Sequence, residues 1–179
     1  MLFRSELSEE TPKQRAFADI CENSLSLGVM SKSYGLAGLR IGWIASHAKD
    51  IMESMTRYKH YTTICNSAPS EYLAERALEC KEKILARNAE IIKNNITLAE
   101  SLLLPTGLIR LNRPEAGPIA FNEYLGGDVD AFCEELLEET GVLLLPGSVY
   151  DFPGNYFRMG YGRSGFEEGL QRLKSFLTG

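Results

Sequence analysis

The sequence predicts an α/β architecture. Segments with helical periodicity interleave with short segments of extended pattern along the whole chain, instead of falling into separate blocks. The composition is 44% hydrophobic and 24% charged with a formal net charge of -5, ordinary for a globular protein and unlike disordered, collagen-like or coiled-coil chains. A third observation is a change of character near residue 60. The earlier part is rich in Gly and Ser and reads as loops around short strands, and the later part reads as a compact unit of helices and a small sheet. At 179 residues the chain is long enough to bury a core, and it contains no internal repeat.

The elements follow in order. Residues 8–20 read as an exposed loop and a short helix from Lys13 to Ile20. Leu25, Leu27 and Val29 alternate in a strand over Ser24 to Met30, and Ile41 to Ala45 is a second short strand. Ala48 to Tyr58 is a helix. Pro69 suits the first turn of the next helix, to about Cys80, because its missing N–H is not needed there, and Asn66 or Ser67 is expected to accept from the orphan N–H groups. A long helix from Lys81 to about Leu104 places Ile84, Leu85, Ile91, Leu98 and Leu102 near one stripe, and Pro105-Thr-Gly107 stops it. Ile109 with Leu111, and Pro118 to Asn122, suggest two short strands. Asp128 caps a helix running to about Thr140, whose Glu134, Glu135, Glu138 and Glu139 form a solvated acidic face. Val142 to Leu145 is a strand ended by Pro146-Gly147, Tyr156 to Tyr161 is another, and Phe166 to Leu177 is a terminal amphipathic helix.

Several function classes recede on composition. An acidic chain with no basic cluster is a poor partner for a nucleic-acid backbone. No apolar run approaches the roughly 20 residues needed to span a bilayer, and the acidic start, Met1 to Glu10, has no apolar core of a signal peptide. Cys21, Cys65, Cys80 and Cys133 are widely spaced with no C-x-x-C pair, which argues for reduced thiols in a cytoplasmic setting over a zinc site or a disulfide framework. His47 and His60 have no carboxylate or thiol at ligand spacing, so no metal site is expected.

The informative run is Ser31-Lys32-Ser-Tyr-Gly35-Leu-Ala-Gly38-Leu-Arg40-Ile-Gly42-Trp43. Lys32 stands between an expected buried strand and a glycine-rich turn, with Arg40 eight residues on. Glycines let backbone approach a ligand closely. A lysine held in such a site can form an imine, and an arginine beside it can grip a phosphate with two parallel bonds. Together they suit a phosphorylated aldehyde. The run matches neither a Walker A loop nor a dinucleotide fingerprint.

The pattern S-K-x-x-G-L-A-G-L-R-x-G-W resembles the Schiff-base segment of the class I/II aminotransferases, the fold-type I pyridoxal-phosphate enzymes. Arg113-Pro-Glu-Ala-Gly117-Pro-Ile-Ala-Phe121 resembles the entry to that family's small domain. Gly141-Val-Leu-Leu-Leu-Pro-Gly147-Ser and Tyr156-Phe-Arg158-Met-Gly-Tyr-Gly-Arg163 resemble its C-terminal signature. The similarity runs from about Ser24 to the end. It implies that residues 60–179 are the small C-terminal domain, a short mixed or antiparallel sheet with helices on one face. Residues 1–59 would be a partial large, cofactor-binding domain carrying the lysine loop, poorly anchored or rearranged against a symmetry partner because its strands lack neighbours. Pyridoxal 5'-phosphate is the implied cofactor. Lys32 would be the catalytic and cofactor-linked lysine, and Arg40 would bind the cofactor phosphate. Arg158 would clamp the substrate α-carboxylate, with Arg163 as the competing candidate. Pro146-Gly147-Ser148 would shape a nearby loop. An amino acid and a 2-oxo acid are the implied substrates, and a homodimer the implied assembly, with Tyr58 and Tyr61 as candidate interface residues.

Two departures stand out. Where the family commonly has Ser or Thr three residues before the lysine, this chain has Val29; Ser31, next to Lys32, is the remaining hydroxyl for the cofactor site. No D-x-x-Y, the family's usual pair for the pyridine nitrogen and the phenolate oxygen, occurs before Lys32. The resemblance therefore implies the C-terminal portion of a longer aminotransferase, with a naturally reduced paralogue as the alternative, inactive and poor at binding the cofactor by itself. The other readings are another fold-type I enzyme, such as a C–S lyase, decarboxylase or acyltransferase, and a non-catalytic effector-binding or regulatory domain of aminotransferase type.

Overall fold

The computed structural model describes residue 7 and residues 15–179. The expected helix from Lys13 is present as a 3-10 turn over Phe17–Asp19, and residues 8–14 lie outside the described residues. The chain folds as an α/β protein of two compact units, Met1–Asn88 and Ala89–Gly179. The expected boundary at 59/60 falls inside a helix, and the boundary between the compact units falls inside another.

The first unit is built on two antiparallel strands, β1 (Ser26–Val29) and β2 (Gly42–Ala45), with Gly28 opposite Trp43. A Cβ on Gly28 would lie 2.3 Å from the Trp43 ring, so the glycine lets the indole lie across the ribbon. The 3-10 turn is tied to the ribbon by hydroxyls. Ser26 Oγ accepts from the Ala18 N–H at 2.8 Å, and the buried Ser24 donates to Phe17 and Cys21 carbonyls. Two helices follow, α1 (Lys49–Thr62) and α2 (Ala68–Glu79). Pro69 occupies the first turn of α2 as expected, but neither Asn66 nor Ser67 caps it through a side chain. The Asn66 amide is already committed, accepting from Lys59 Nζ at 2.9 Å and donating to Glu71 Oε1 at 2.7 Å.

Helix α3 (Lys81–Leu103) runs through the boundary between the units. Its buried stripe is Leu85, Ile92, Ile96, Ala99 and Leu103, one turn position round from most of the expected set. Ile84, Ile91, Leu98 and Leu102 flank that stripe half-buried.

The second unit holds a four-stranded antiparallel sheet in the order β3 (Ile109–Arg110), β4 (Ile119–Tyr124), β6 (Tyr156–Gly160), β5 (Leu145–Pro146). The strand expected over Val142 to Leu145 is shifted, with Pro146 inside it. The edge position explains this: β5 pairs with β6 alone, so an absent N–H on its outer side breaks no ladder. Helices α4 (Val129–Thr140) and α5 (Phe166–Thr178) follow β4 and β6. Asp128 caps α4 as expected, its Oδ1 accepting from the Ala131 N–H at 2.9 Å. Strand alternation puts Ala120, Asn122, Phe157 and Met159 on the buried face, where Phe132 of α4 stacks on Tyr124 and tilts against Phe157 and Phe176. Both helices thus serve one face of the sheet. The acidic residues of α4 stay exposed.

Candidate functional site

Residues 31–40 form a loop whose ends are joined. The buried Met30 donates its N–H to the Ile41 carbonyl at 3.0 Å and accepts from the Leu36 N–H at 2.9 Å. Inside it, Gly35 adopts φ +69 and donates to the Lys32 carbonyl at 2.9 Å, and Asn88 Nδ2 holds the Ser33 carbonyl at 2.8 Å. The 3-10 turn Ala37–Leu39 then ends at Arg40.

Ser31, Lys32 and Arg40, the residues expected at the cofactor, are thus carried by one closed loop of the first unit. Lys32 is exposed, and its amine makes no hydrogen bond or ion pair among the described residues. The Ser31 hydroxyl is half-exposed on the same turn. Arg40 is also exposed and has left-handed backbone, φ 54, a conformation that the Cβ of any L-residue makes costly. Its guanidinium makes one bond, from Nη1 to the Ala37 carbonyl at 3.1 Å, and has no carboxylate partner among the described residues. An amine, a guanidinium and a hydroxyl on one loop, none tied to an acid, fit an anionic, aldehyde-bearing group. The groove of about 610 Å³ between β2 and α2 does not: neither Lys32 nor Arg40 lines it, and Glu71, Glu75 and Glu79 do.

Arg158 lies in the second unit on the face of the sheet opposite α4 and α5. It sits between Phe121 of β4 and Leu145 of β5 in the strand register. This half-buried guanidinium has no carboxylate partner among the described residues, and its one bond runs from Nη1 to the Tyr150 hydroxyl at 3.3 Å. Around it lies a run of rings. Phe121 meets Tyr150 edge-on at 5.5 Å and Phe152 at 5.2 Å, and Phe152 meets Tyr156 edge-on at 5.2 Å. Arg163 is exposed past the end of β6, where its carbonyl accepts from Asn95 Nδ2 at 2.8 Å. Gly147 of the Pro146-Gly147-Ser148 segment is buried, and the Ser148 hydroxyl bonds to Asp130.

Sequence reasoning missed the aromatic surround of Arg158. Its signal is the two-residue period: Tyr156 and Arg158 must share a face, as must Phe121 with Ile119 and Glu123. It also missed the buried polar spine behind the sheet. Asn122, fully buried, accepts from the Asn112 N–H at 2.9 Å and donates to the Tyr161 hydroxyl at 3.1 Å, and Asn95 Nδ2 holds the Tyr161 carbonyl at 2.7 Å. Burial raises the Tyr161 phenol above its ordinary range. It likewise pushes the Cys133 thiol up to about 11, with Asp130 adding to the effect.

Comparison with known proteins gives a consistent picture. The sequence profile described as aminotransferase class I and II matches residues 3–173. Capreomycidine synthase of Streptomyces vinaceus is 32% identical over 157 residues, covering 86% of this chain and 40% of that protein. Aspartate aminotransferase of Thermotoga maritima is 32% identical over 150 residues, covering 83% of this chain and 38% of that protein. Among solved structures, a PLP-dependent aminotransferase from Streptococcus suis superimposes with a TM-score of 0.87 at 28% identity, over 99% of this chain and 47% of that one. A PLP-dependent cyclase, OrfR, superimposes with a TM-score of 0.85 at 27% identity over 98% of this chain and 48% of that one. The chain spans about two fifths of the length of the curated relatives it matches.

Proposed function

The chain belongs to the class I and II aminotransferase family, and from that premise we propose that it supplies part of a pyridoxal-phosphate-dependent transamination between an amino acid and a 2-oxo acid. The carrying observation is the joined loop that presents Lys32 and Arg40, both without an acidic partner among the described residues. Pyridoxal phosphate, when bound, supplies the electron sink for breaking a bond at the amino acid's α-carbon. Arg40 holds the phosphate by charge, and the Ser31 hydroxyl adds a donor on the same loop. Lys32 contributes the amine that links the cofactor and then carries the proton at the α-carbon. Arg158 takes the α-carboxylate and sets which bond at that carbon faces the electron sink. Lys32 and Arg40 sit in the first unit and Arg158 in the second.

Borohydride reduction in the presence of pyridoxal phosphate, followed by peptide mapping, is expected to mark Lys32 ahead of the other exposed lysines. Arg40→Ala is expected to raise the cofactor concentration required by roughly tenfold. Uniform labelling of the lysines would overturn the reading. As the chain spans about two fifths of the length of its curated relatives, no turnover is expected from this polypeptide alone, and turnover of any amino acid by it would overturn that point.

A second reading has its own support. The relative named a synthase is as identical to this chain as the aspartate aminotransferase is. The same residues then serve another reaction at the α-carbon or beyond it, distinguished by whether the amino group reaches an added 2-oxo acid. We also propose a homodimer with Tyr58 and Tyr61 of α1 at the interface. Their exposures of 71% and 89% support it, and sedimentation of the chain with both tyrosines changed to Ser tests it. Cytoplasmic residence belongs to the same proposal, supported by the three exposed free thiols Cys21, Cys65 and Cys80.

A further inference from the structure

The geometry points to Tyr150 as a second ligand of the substrate carboxylate. This inference rests on the reading of Arg158 given above and goes beyond it.

A guanidinium has donors only, so in the contact between Arg158 Nη1 and Tyr150 the phenol oxygen is the acceptor. That leaves the Tyr150 proton to be donated, and it has no acceptor among the described residues. The remaining donors of Arg158 are likewise uncommitted among the described residues. An arginine fork and a phenol O–H are therefore held side by side, and both present uncommitted donors. The ligand such an array accepts is an anion with two adjacent oxygens, a carboxylate. The 3.3 Å contact is loose for a neutral acceptor, whereas a carboxylate would draw shorter, charge-assisted bonds from both groups.

The position of Tyr150 is built in. It closes the 3-10 turn Gly147–Tyr150, which ends at Asp151 in left-handed backbone, φ 52. The Phe152 N–H returns to the Gly147 carbonyl at 3.0 Å. A Cβ on Gly147 would lie 2.8 Å from the Phe152 carbonyl oxygen, so only glycine allows this closure. The edge of the Phe121 ring then fixes the phenol from the sheet side. Tyr150 is therefore a substrate-binding residue whose hydroxyl reads the carboxylate together with Arg158.

The test uses propanoate as the probe, titrated into the full chain and followed by the side-chain Nε–H resonance of Arg158. Tyr150→Phe is expected to weaken propanoate binding roughly tenfold, the loss of one hydrogen bond to a charged group. The backbone amide resonances of Leu145 and Arg158, paired across β5 and β6, are expected to stay in place in the unliganded variant. Arg158→Met is expected to abolish the binding. An affinity in Tyr150→Phe within twofold of the parent overturns the proposal, and so does a displacement of those two amide resonances, which would make Tyr150 a positioning residue. If Arg158→Met binds propanoate as the parent does, or the parent does not bind it, the reading of Arg158 itself falls. Loss in Arg158→Met with no loss in Tyr150→Phe removes Tyr150 alone.

Discussion

The two compact units handle the same problem differently. In the second, a four-stranded sheet turns one face to α4 and α5, and Phe157, Met159, Leu136 and Leu173 are almost wholly removed from water. In the first, a two-stranded ribbon leaves Leu27 and Trp43 about two fifths exposed, and α1 has no buried residue at all. A two-stranded hairpin is marginal alone because each strand has one partner and little apolar area to cover. The contrast teaches that the loop bearing Lys32 and Arg40 is mounted on the less consolidated part of the chain, and Arg158 on the more consolidated part.

The largest effect that would sharpen this contrast is in the second unit's core. Phe157→Ala, which empties a fully buried ring position, is expected to cost about 3–5 kcal/mol in chemical denaturation. A cost below about 1 kcal/mol would break the picture of a consolidated core. Amide exchange gives the complementary measurement. Amides of β4 and β6 are expected to exchange only near the global unfolding free energy, and those of β1 and β2 through cheaper local opening. Equal protection in a demonstrated monomer would erase the distinction between the units.

Asn122→Ala comes next. It strands the Asn112 N–H and the Tyr161 hydroxyl behind the sheet, an expected loss of about 1–3 kcal/mol. Alkaline titration probes the same region. The Cys133 thiol and the Tyr161 phenol both hold their protons more tightly folded than unfolded. Stability is therefore expected to be level below the ordinary thiol value of 9.0 and to fall as pH rises from there through about 11. Stability that rises over that window would contradict the burial of these groups. The smallest effect belongs to the first unit. Ile64, 72% exposed, is β-branched yet has φ 61, so Ile64→Gly is expected to raise stability by about 1 kcal/mol.

The local elements were legible because period and punctuation are local signals. Pro69, Asp128 and Gly107 stand where a helix must begin or stop. Competition among neighbours was not legible. The apolar pairs Ile84-Leu85, Ile91-Ile92 and Leu98-Ala99 on α3 define a stripe but not which member of each pair points inward. Asn66 carries a capping group, but Lys59, seven residues earlier, claims its oxygen. Pro146 reads as a strand stop until the sheet order places it at an edge. The Lys32 segment was legible as a candidate from its dense motif, and Arg158 as a candidate from the resemblance of residues 156–163 to a family signature. Tyr150 was not, because a 3-10 turn eight residues before Arg158 brings its hydroxyl to that arginine, and no periodicity connects the two.

Arg40 occupies a backbone geometry in which glycine would be the more comfortable resident. Arg40→Gly is therefore an instruction with two opposed readings. A selection for heat resistance would favour it, and a selection for holding a phosphate would reject it. Laboratory evolution of this chain under thermal challenge alone would be drawn toward dismantling the very charge on which its proposed chemistry depends.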